Sequence, residues 1–230
     1  MKLVILQPGY LPWLGFFDQL AQSDIFVFYD DVQYDKHGWR NRNRIKTSQG
    51  PQWLTVPVLT TSKNLPLIKD TQIDNGTNWP KRHLEGIRQN YSRSPFFDLL
   101  FPELGTLYSK SWQYILDLDT SLITLLTRLL GLNRKILFSS ELSIEGYQTE
   151  RLINFCKLLK VDKYLTGSAA RSYLKEERFK EENIELSYHD YPHPKYNQLY
   201  GEFIPYLSTI DLVFNEGPKS LEILTGAKYV

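Results

Sequence analysis

The chain opens with a short continuous apolar run, Lys2-Leu3-Val4-Ile5-Leu6, that stops abruptly at Gln7-Pro8-Gly9. A run of this length without polar interruption predicts a strand buried on both faces of a parallel sheet. Past a loop of prolines and aromatics, Trp13, Phe16, Phe17, Leu20 and Ala21 recur at helical spacing and predict a helix with one face against that sheet. Ile25-Phe26-Val27-Phe28 reads as the second buried strand, so the helix is a crossover between parallel strands. Residues 52–74 alternate apolar and polar positions in short runs broken by Pro57 and Pro66, which predicts antiparallel or edge β structure. Helices are expected near residues 79–91, 95–107 and 112–130, the last strongly apolar and closed by Gly131. Residues 135–140, KILFSS, return to the sheet, residues 149–160 form a helix, and residues 163–167, KYLTG, are a third parallel strand ending in a glycine turn. A last helix bears Leu207, Ile210, Leu212 and Val213, followed by a turn at Asn215-Glu216-Gly217-Pro218. The pattern predicts an α/β fold: a Rossmann-like, mainly parallel sheet with flanking helices and a helical/β insertion in the middle. It is read as one domain over residues 1–230 with the insertion around 47–131.

Charge and composition narrow the function classes. The 27 basic and 26 acidic residues give a net charge of +1, so no global field draws nucleic acid or an anionic membrane, and any anionic ligand must be held locally. The single cysteine, Cys156, lies in an apolar helical run, as a buried and unreactive thiol would in a reducing compartment. No apolar run approaches the roughly 20 residues that span a bilayer, and the N-terminus lacks a signal-peptide pattern. A cytoplasmic protein without membrane insertion is expected.

The candidate chemistry collects where the predicted strands stop, because ligands of open α/β sheets sit beyond the carboxyl ends of the strands. Gln7 and Tyr10 follow the first strand. Tyr10 and Trp13 offer flat faces to a base or sugar ring, or else cover the sheet edge. The loop lacks GxGxxG and GxxxxGK[ST], so no dinucleotide fingerprint or P-loop is present. Asp30 and Asp31 end the second strand, where a carboxylate could ligate a divalent cation such as magnesium, accept hydrogen bonds from sugar hydroxyls, or merely close a turn. Adjacent residues on a strand face opposite ways, so the pattern admits one of the two to a site. The run from Arg40 to Lys46 contains Asn41, Arg42, Asn43 and Arg44. Arg42 and Arg44 share one face of an extended segment and could hold a diphosphate or carboxylate in forked hydrogen bonds, with Asn41 and Lys46 beside them. A solvated basic hairpin is the competing reading.

Gly167 and Ser168 precede a short helical stretch whose free amides could receive a phosphate or carboxylate, with Arg171 one turn on. A plain helix cap competes with that reading. His83 is read as a surface residue. His189 and His193 are four apart, but Pro192 and Pro194 argue against the helix that would put them on one face, so a zinc pair is disfavoured. Either histidine could act as a general base, and Asp30 is counted with them among the candidate catalytic groups. No CxxC, HExxH or GxSxG is present, no metal site is assigned, and no cofactor is required.

QPGYLPWLGFFDQLAQSDIFVFYDDVQY, NRNRIK, QWLTVPV, KYLTGSAARSYL and YHDYPHPKYNQLYGEFIPYLSTIDLVFNEG together resemble the WbqC-like family over nearly the whole chain. The resemblance implies a cytoplasmic role in bacterial surface-polysaccharide (O-antigen) biosynthesis, in making or modifying a nucleotide-linked sugar; the expected ligand is such a sugar or an activated acyl donor. It names a pathway, not a reaction. A looser resemblance, to nucleotidylyl-transferases and adenylating enzymes, lacks their HxGH-type motif, for which Gln7-Pro8-Gly9-Tyr10 stands here. Two readings follow. One is an enzyme that transfers an acyl or aminoacyl group, with a ring on Tyr10 or Trp13, phosphates on Arg42 and Arg44, and His189 or His193 as base. The other is a non-catalytic glycan- or partner-binding module. Nucleic acid is not expected as a partner, and an oligomer is compatible with either reading.

Overall fold

The computed structural model describes residues 1–60 and 65–226. The apolar opening run forms strand β1 (Lys2–Leu6), followed by helix α1 (Leu14–Gln22) and strand β2 (Ile25–Phe28). The arginine-rich run and its continuation form β3 (Arg42–Thr47) and β4 (Gly50–Thr55). Three helices follow, α2 (Trp79–Tyr91), α3 (Phe97–Tyr108) and α4 (Ile115–Leu129). The chain continues through β5 (Lys135–Phe138), α5 (Ser139–Leu142), α6 (Gln148–Leu159), β6 (Lys163–Gly167), α7 (Glu176–Glu181), β7 (Glu185–His189), α8 (Thr209–Glu216) and α9 (Ser220–Thr225).

The chain divides into two compact units, with the boundary passing through α1. The first comprises Met1–Gln7, Asp18–Asp31 and Arg134–Pro192. Its sheet has five parallel strands in the order β5-β2-β1-β6-β7. β1 lies at the centre, and the chain builds outward from it first toward β5 and then toward β7. The boundary between β1 and β6 is therefore a topological switch point, the architecture expected of a Rossmann-like α/β protein. β1 and β2 are buried on both faces, which is why they read as unbroken apolar runs. On one face Leu3, Ile5, Ile25 and Val27 pack with Phe155 and Cys156 of α6 and with Phe179 of α7, whose ring stacks on Tyr164 at 5.6 Å. Burial pushes the Cys156 thiol up to about 12, so the lone cysteine is an unreactive core residue.

The second unit comprises Pro8–Phe17, Val32–Asn133 and His193–Val230, of which residues 61–64 and 227–230 lie outside the described residues. β3 and β4 form an antiparallel hairpin that pairs Asn43 with Leu54 and Arg44 with Trp53. Asn43, Ile45 and Leu54 point inward and are buried. Helices α2, α3 and α8 meet through aromatic stacking, with Tyr91 and Phe97 at 4.7 and 5.9 Å from Phe214. α4 is the buried helix the sequence announces, and it stops where Gly131 takes a left-handed φ of 70°.

Four segments depart from expectation. β7 forms in a stretch whose pattern does not announce a strand, since its side chains are mostly half-buried and its apolar content is low. The expected β structure of residues 52–74 reduces to the end of β4, single bridges such as Val58 to Ile73, and a 3-10 turn at Ile68–Asp70; residues 61–64 within it lie outside the described residues. α8 runs through Asn215 and Glu216, where a turn is expected, because Ser208 caps its start and Gly217, at φ 52°, ends it later. His83 is buried on α2, not at the surface. Among the described residues no helix is long and apolar enough to cross a membrane.

Candidate functional site

In the first unit, five strand ends open onto one edge of the sheet. Asp30, at the end of β2, is buried and accepts hydrogen bonds from the Ser139 hydroxyl at 2.8 Å, the Ser140 amide at 2.9 Å and the Ser140 hydroxyl at 2.6 Å. Asp31 does not turn away from it as strand alternation predicts: its carboxylate also meets the Ser139 hydroxyl, at 2.5 Å, and pairs with Arg151, which lies 5.0 Å from the Tyr29 ring centre. Both aspartates are thus built into a network that ties the end of β2 to the start of α5 and to α6. Gln7 ends β1, and Gly167 and Ser168 end β6, where Ser168–Ser172 form a 3-10 turn. Arg171 in that turn pairs with Asp190 at 2.7 Å and lies 4.4 Å from the Tyr188 ring centre, so its charge is compensated within the unit.

His189 ends β7. Its Nε2 lies 2.5 Å from Oδ2 of Asp18 on α1, which also accepts from the Gln22 side chain at 2.7 Å. A carboxylate only accepts, so Nε2 carries the proton and the lone pair of the neutral ring sits on Nδ1. Tyr191 stacks on the imidazole at 5.5 Å. The histidine is 8% exposed, and among the described residues Nδ1 has no protein partner. An imidazole oriented in this way by a carboxylate can accept a proton through Nδ1 and hold the resulting charge against Asp18. Asp18 carries a sequence signal of its own, an acid inside the apolar stripe of α1, but its partner lies 171 residues away.

α6 and α7 each follow a parallel strand, so both begin on the carboxyl side of the sheet. There Tyr147, Gln148, Thr149, Glu150, Lys175 and Arg178 line a cavity of about 410 Å³. The Lys175 amide donates to the Thr149 hydroxyl at 3.2 Å and fixes the two walls together. Lys175, Arg178 and Glu150 supply its charges, Arg178 being also paired with Glu181 at 3.4 Å, and its volume falls in the range of small-ligand sites. Lys175 and Arg178 read in the sequence as a charged helix face and carry no earlier signal.

In the second unit, Tyr10 is fully buried, and its hydroxyl is bonded to Tyr108 and, at 2.8 Å, to Nδ1 of His83. Burial, followed by the Tyr108 hydroxyl, raises its pKa well above the ordinary value, and the ring is enclosed instead of offered to a ligand. Burial also holds His83 at about 4, so it is neutral at physiological pH. Asn41 donates to the Val56 carbonyl at 2.7 Å, and Lys46, also buried, donates to Gln198 and to the Glu202 carbonyl. Both bind the unit's own backbone or side chains. His193 has both ring nitrogens engaged: Nδ1 lies 2.9 Å from the Pro194 carbonyl, and Nε2 accepts the Tyr206 amide at 3.1 Å. Burial lowers its pKa, and its lone pair is already committed. Trp13, half-buried, stacks on His193 at 6.5 Å.

Arg42 and Arg44 share the outer face of the hairpin, 5.0 and 5.6 Å from the Trp53 ring centre. Arg42 donates to the carbonyls of His37 and Gly38, and Arg44 to that of Tyr206. Deeper in the unit, Asp119 is fully enclosed with neither oxygen hydrogen-bonded among the described residues; burial raises its pKa far above the usual range, opposed by Arg40. Among the described residues no group of three or more His, Cys, Asp or Glu is arranged to hold a metal ion.

The candidate residues therefore fall into two groups. Gln7, Asp30, Gly167, Ser168, Arg171 and His189 belong to the first unit, and Tyr10, Trp13, Asn41, Arg42, Arg44, Lys46 and His193 to the second. A family model described as the WbqC-like protein family matches residues 7–223. The chain is also 39% identical over 225 residues to the "Uncharacterized protein Rv1507c" of Mycobacterium tuberculosis, a match covering 97% of each chain. No solved structure matches.

Proposed function

The chain belongs to the WbqC-like protein family, and from that premise we propose that it is a cytoplasmic enzyme of surface-polysaccharide biosynthesis that transfers an acyl or aminoacyl group onto a nucleotide-linked sugar. The observation that carries the reading is the His189–Asp18 pair at the carboxyl end of β7. A hydroxyl or amine of the sugar attacks the acyl carbonyl and gives its proton to Nδ1 of His189. The bond from the acyl carbon to its carrier breaks, and the proton passes to the departing carrier. Asp18 holds the ring in the productive tautomer and stabilises the transient imidazolium, a contribution worth on the order of 100-fold to 10,000-fold in rate. In the cavity on the same side of the sheet, Lys175 offers a local positive charge to a phosphorylated substrate in a protein of net charge +1.

The test is incubation of the protein with nucleotide-linked amino and hydroxy sugars and activated acyl donors, read by mass spectrometry for the acylated sugar. A thermal-shift panel of the same compounds reports binding, since a ligand at 100 times its dissociation constant stabilises a fold by about 2.7 kcal/mol. Acylated product from the native protein and none from His189→Gln, with the ligand-induced shift retained, is the expected result. Product formation undiminished in His189→Gln refutes the assignment of the base.

A further inference from the structure

Tyr206 is held against its own backbone preference. Its φ is 59°, in the left-handed region that few residues other than glycine adopt, and it is 49% exposed, so burial does not fix it there. Two hydrogen bonds do. The Tyr206 amide donates to Nε2 of His193 at 3.1 Å, and the Tyr206 carbonyl accepts from the Arg44 guanidinium at 3.3 Å. The residues that follow form a strap. The Ser208 amide donates to the Arg44 carbonyl at 3.0 Å, the Thr209 amide donates to the Pro12 carbonyl at 2.9 Å, and Ser208 makes an antiparallel bridge with Trp13. Tyr206 thus begins the segment that ties the loop before α1 to β3 and to the start of α8.

The tautomer of His193 makes one of these bonds depend on a proton. Nδ1 lies 2.9 Å from the Pro194 carbonyl, which only accepts, so Nδ1 carries the hydrogen and Nε2 the lone pair that receives the Tyr206 amide. We propose that His193 is an acid-released latch for the strap that begins at Tyr206. Protonation places a second N–H on the imidazole, and Nε2 then meets the Tyr206 amide donor to donor. That hydrogen bond is lost, and the left-handed turn it holds relaxes. Trp13 faces the ring from the first loop at 6.5 Å, and Tyr196, Phe203 and Tyr206 face it from its own segment at 6.5, 5.8 and 5.1 Å. Two charged groups stand behind these neighbours: Arg44, bonded to the Tyr206 carbonyl, and Asp211, which accepts the Tyr196 hydroxyl at 2.8 Å. Burial lowers the His193 pKa from the ordinary 6.5, opposed by the Pro194 carbonyl, so the latch is closed at neutral pH and opens in acid. The sign follows from linkage: a histidine whose folded pKa is lowered contributes its stability fully above the unfolded value and loses it as pH falls through the folded one.

This inference is independent of the proposed reaction and is tested without it. Hydrogen exchange of the full chain is followed by NMR at single amides, from neutral pH to about two units below the ordinary histidine value. The protection factor of the Tyr206 amide, corrected for the intrinsic pH dependence of exchange, should fall by about tenfold or more, while the amides of Tyr91 in α2 and Phe214 in α8 keep theirs. Its midpoint should lie below 6.5 and coincide with the titration of the His193 ring followed in the same protein. His193→Gln offers a carbonyl oxygen to the same amide and does not titrate, so the Tyr206 amide should stay protected at every pH in that variant. With fluorine-labelled tryptophan, the Trp13 signal, assigned by its loss in Trp13→Phe, should move with the same midpoint in the native protein and stay still in His193→Gln. Three results overturn the proposal: Tyr206 protection independent of pH, an equal fall in His193→Gln, or loss of protection in α2 and α8 at the same midpoint.

Discussion

At the carboxyl edge of the sheet, charged side chains are held by opposite charges and hydroxyls, while on the outer face of the hairpin they are held by indoles and backbone carbonyls. Asp30 receives three hydrogen bonds from Ser139 and Ser140, Asp31 holds Arg151, and Arg171 holds Asp190. Arg42 and Arg44 instead rest on indoles, donate to the carbonyls of His37, Gly38 and Tyr206, and form no ion pair among the described residues. The difference separates two uses of the same residue types. A charge paired with an opposite charge fixes the ends of elements, and a charge held by an aromatic ring and by carbonyls ties neighbouring loops to the hairpin without a counter-ion. His189 differs from both, with one nitrogen committed to Asp18 and the other left for a proton.

Substitutions sharpen that contrast. The largest stability loss is expected at Asp30→Ala, which strands the Ser139 and Ser140 donors inside the network and should cost about 3 kcal/mol by chemical denaturation. A loss under 1 kcal/mol would mean that the edge network is not structural. Gly9→Ala forces a methyl group onto the Trp39 carbonyl and should cost about 2 kcal/mol, with a change in tryptophan fluorescence as Trp39 shifts. The smallest effect, and one of opposite sign, is expected at Asp119→Asn. The buried Asp119 carboxyl has its pKa raised in the folded state, so its contribution to stability is complete below the unfolded value, near 4, and is lost as pH rises above it. Asparagine does not ionise in the unfolded chain, so the variant should be more stable than the native protein by about 1 kcal/mol at neutral pH, with the gap closing toward pH 4. A destabilised variant at neutral pH would show Asp119 ionised and paired with Arg40.

Much of the fold is legible in the sequence because burial on both faces leaves a mark in consecutive residues. KLVIL and IFVF become β1 and β2, and the periodic runs become α2, α3, α4 and α6 within a few residues of their expected ends. β7 escapes because a half-buried strand in a mixed segment has neither an apolar run nor a clean alternation. The site is harder to read for a different reason. Whether a polar side chain is spent or available depends on partners that sequence proximity does not reveal: Asp30 meets Ser139 across 109 positions, and His189 meets Asp18 across 171. Tyr10 and Trp39 are both aromatics that directly follow a glycine, yet one is sealed in the interior and the other stands half in solvent. Only the packing decides between them.

The central measurement compares His189→Gln with the native protein in acyl transfer to a nucleotide-linked sugar and in the melting-temperature shift that the sugar induces. His189→Gln is expected to lose transfer and keep the ligand-induced shift, because the imidazole is the proton acceptor and the substrate cavity is untouched. Transfer by His189→Gln at the native rate would contradict it.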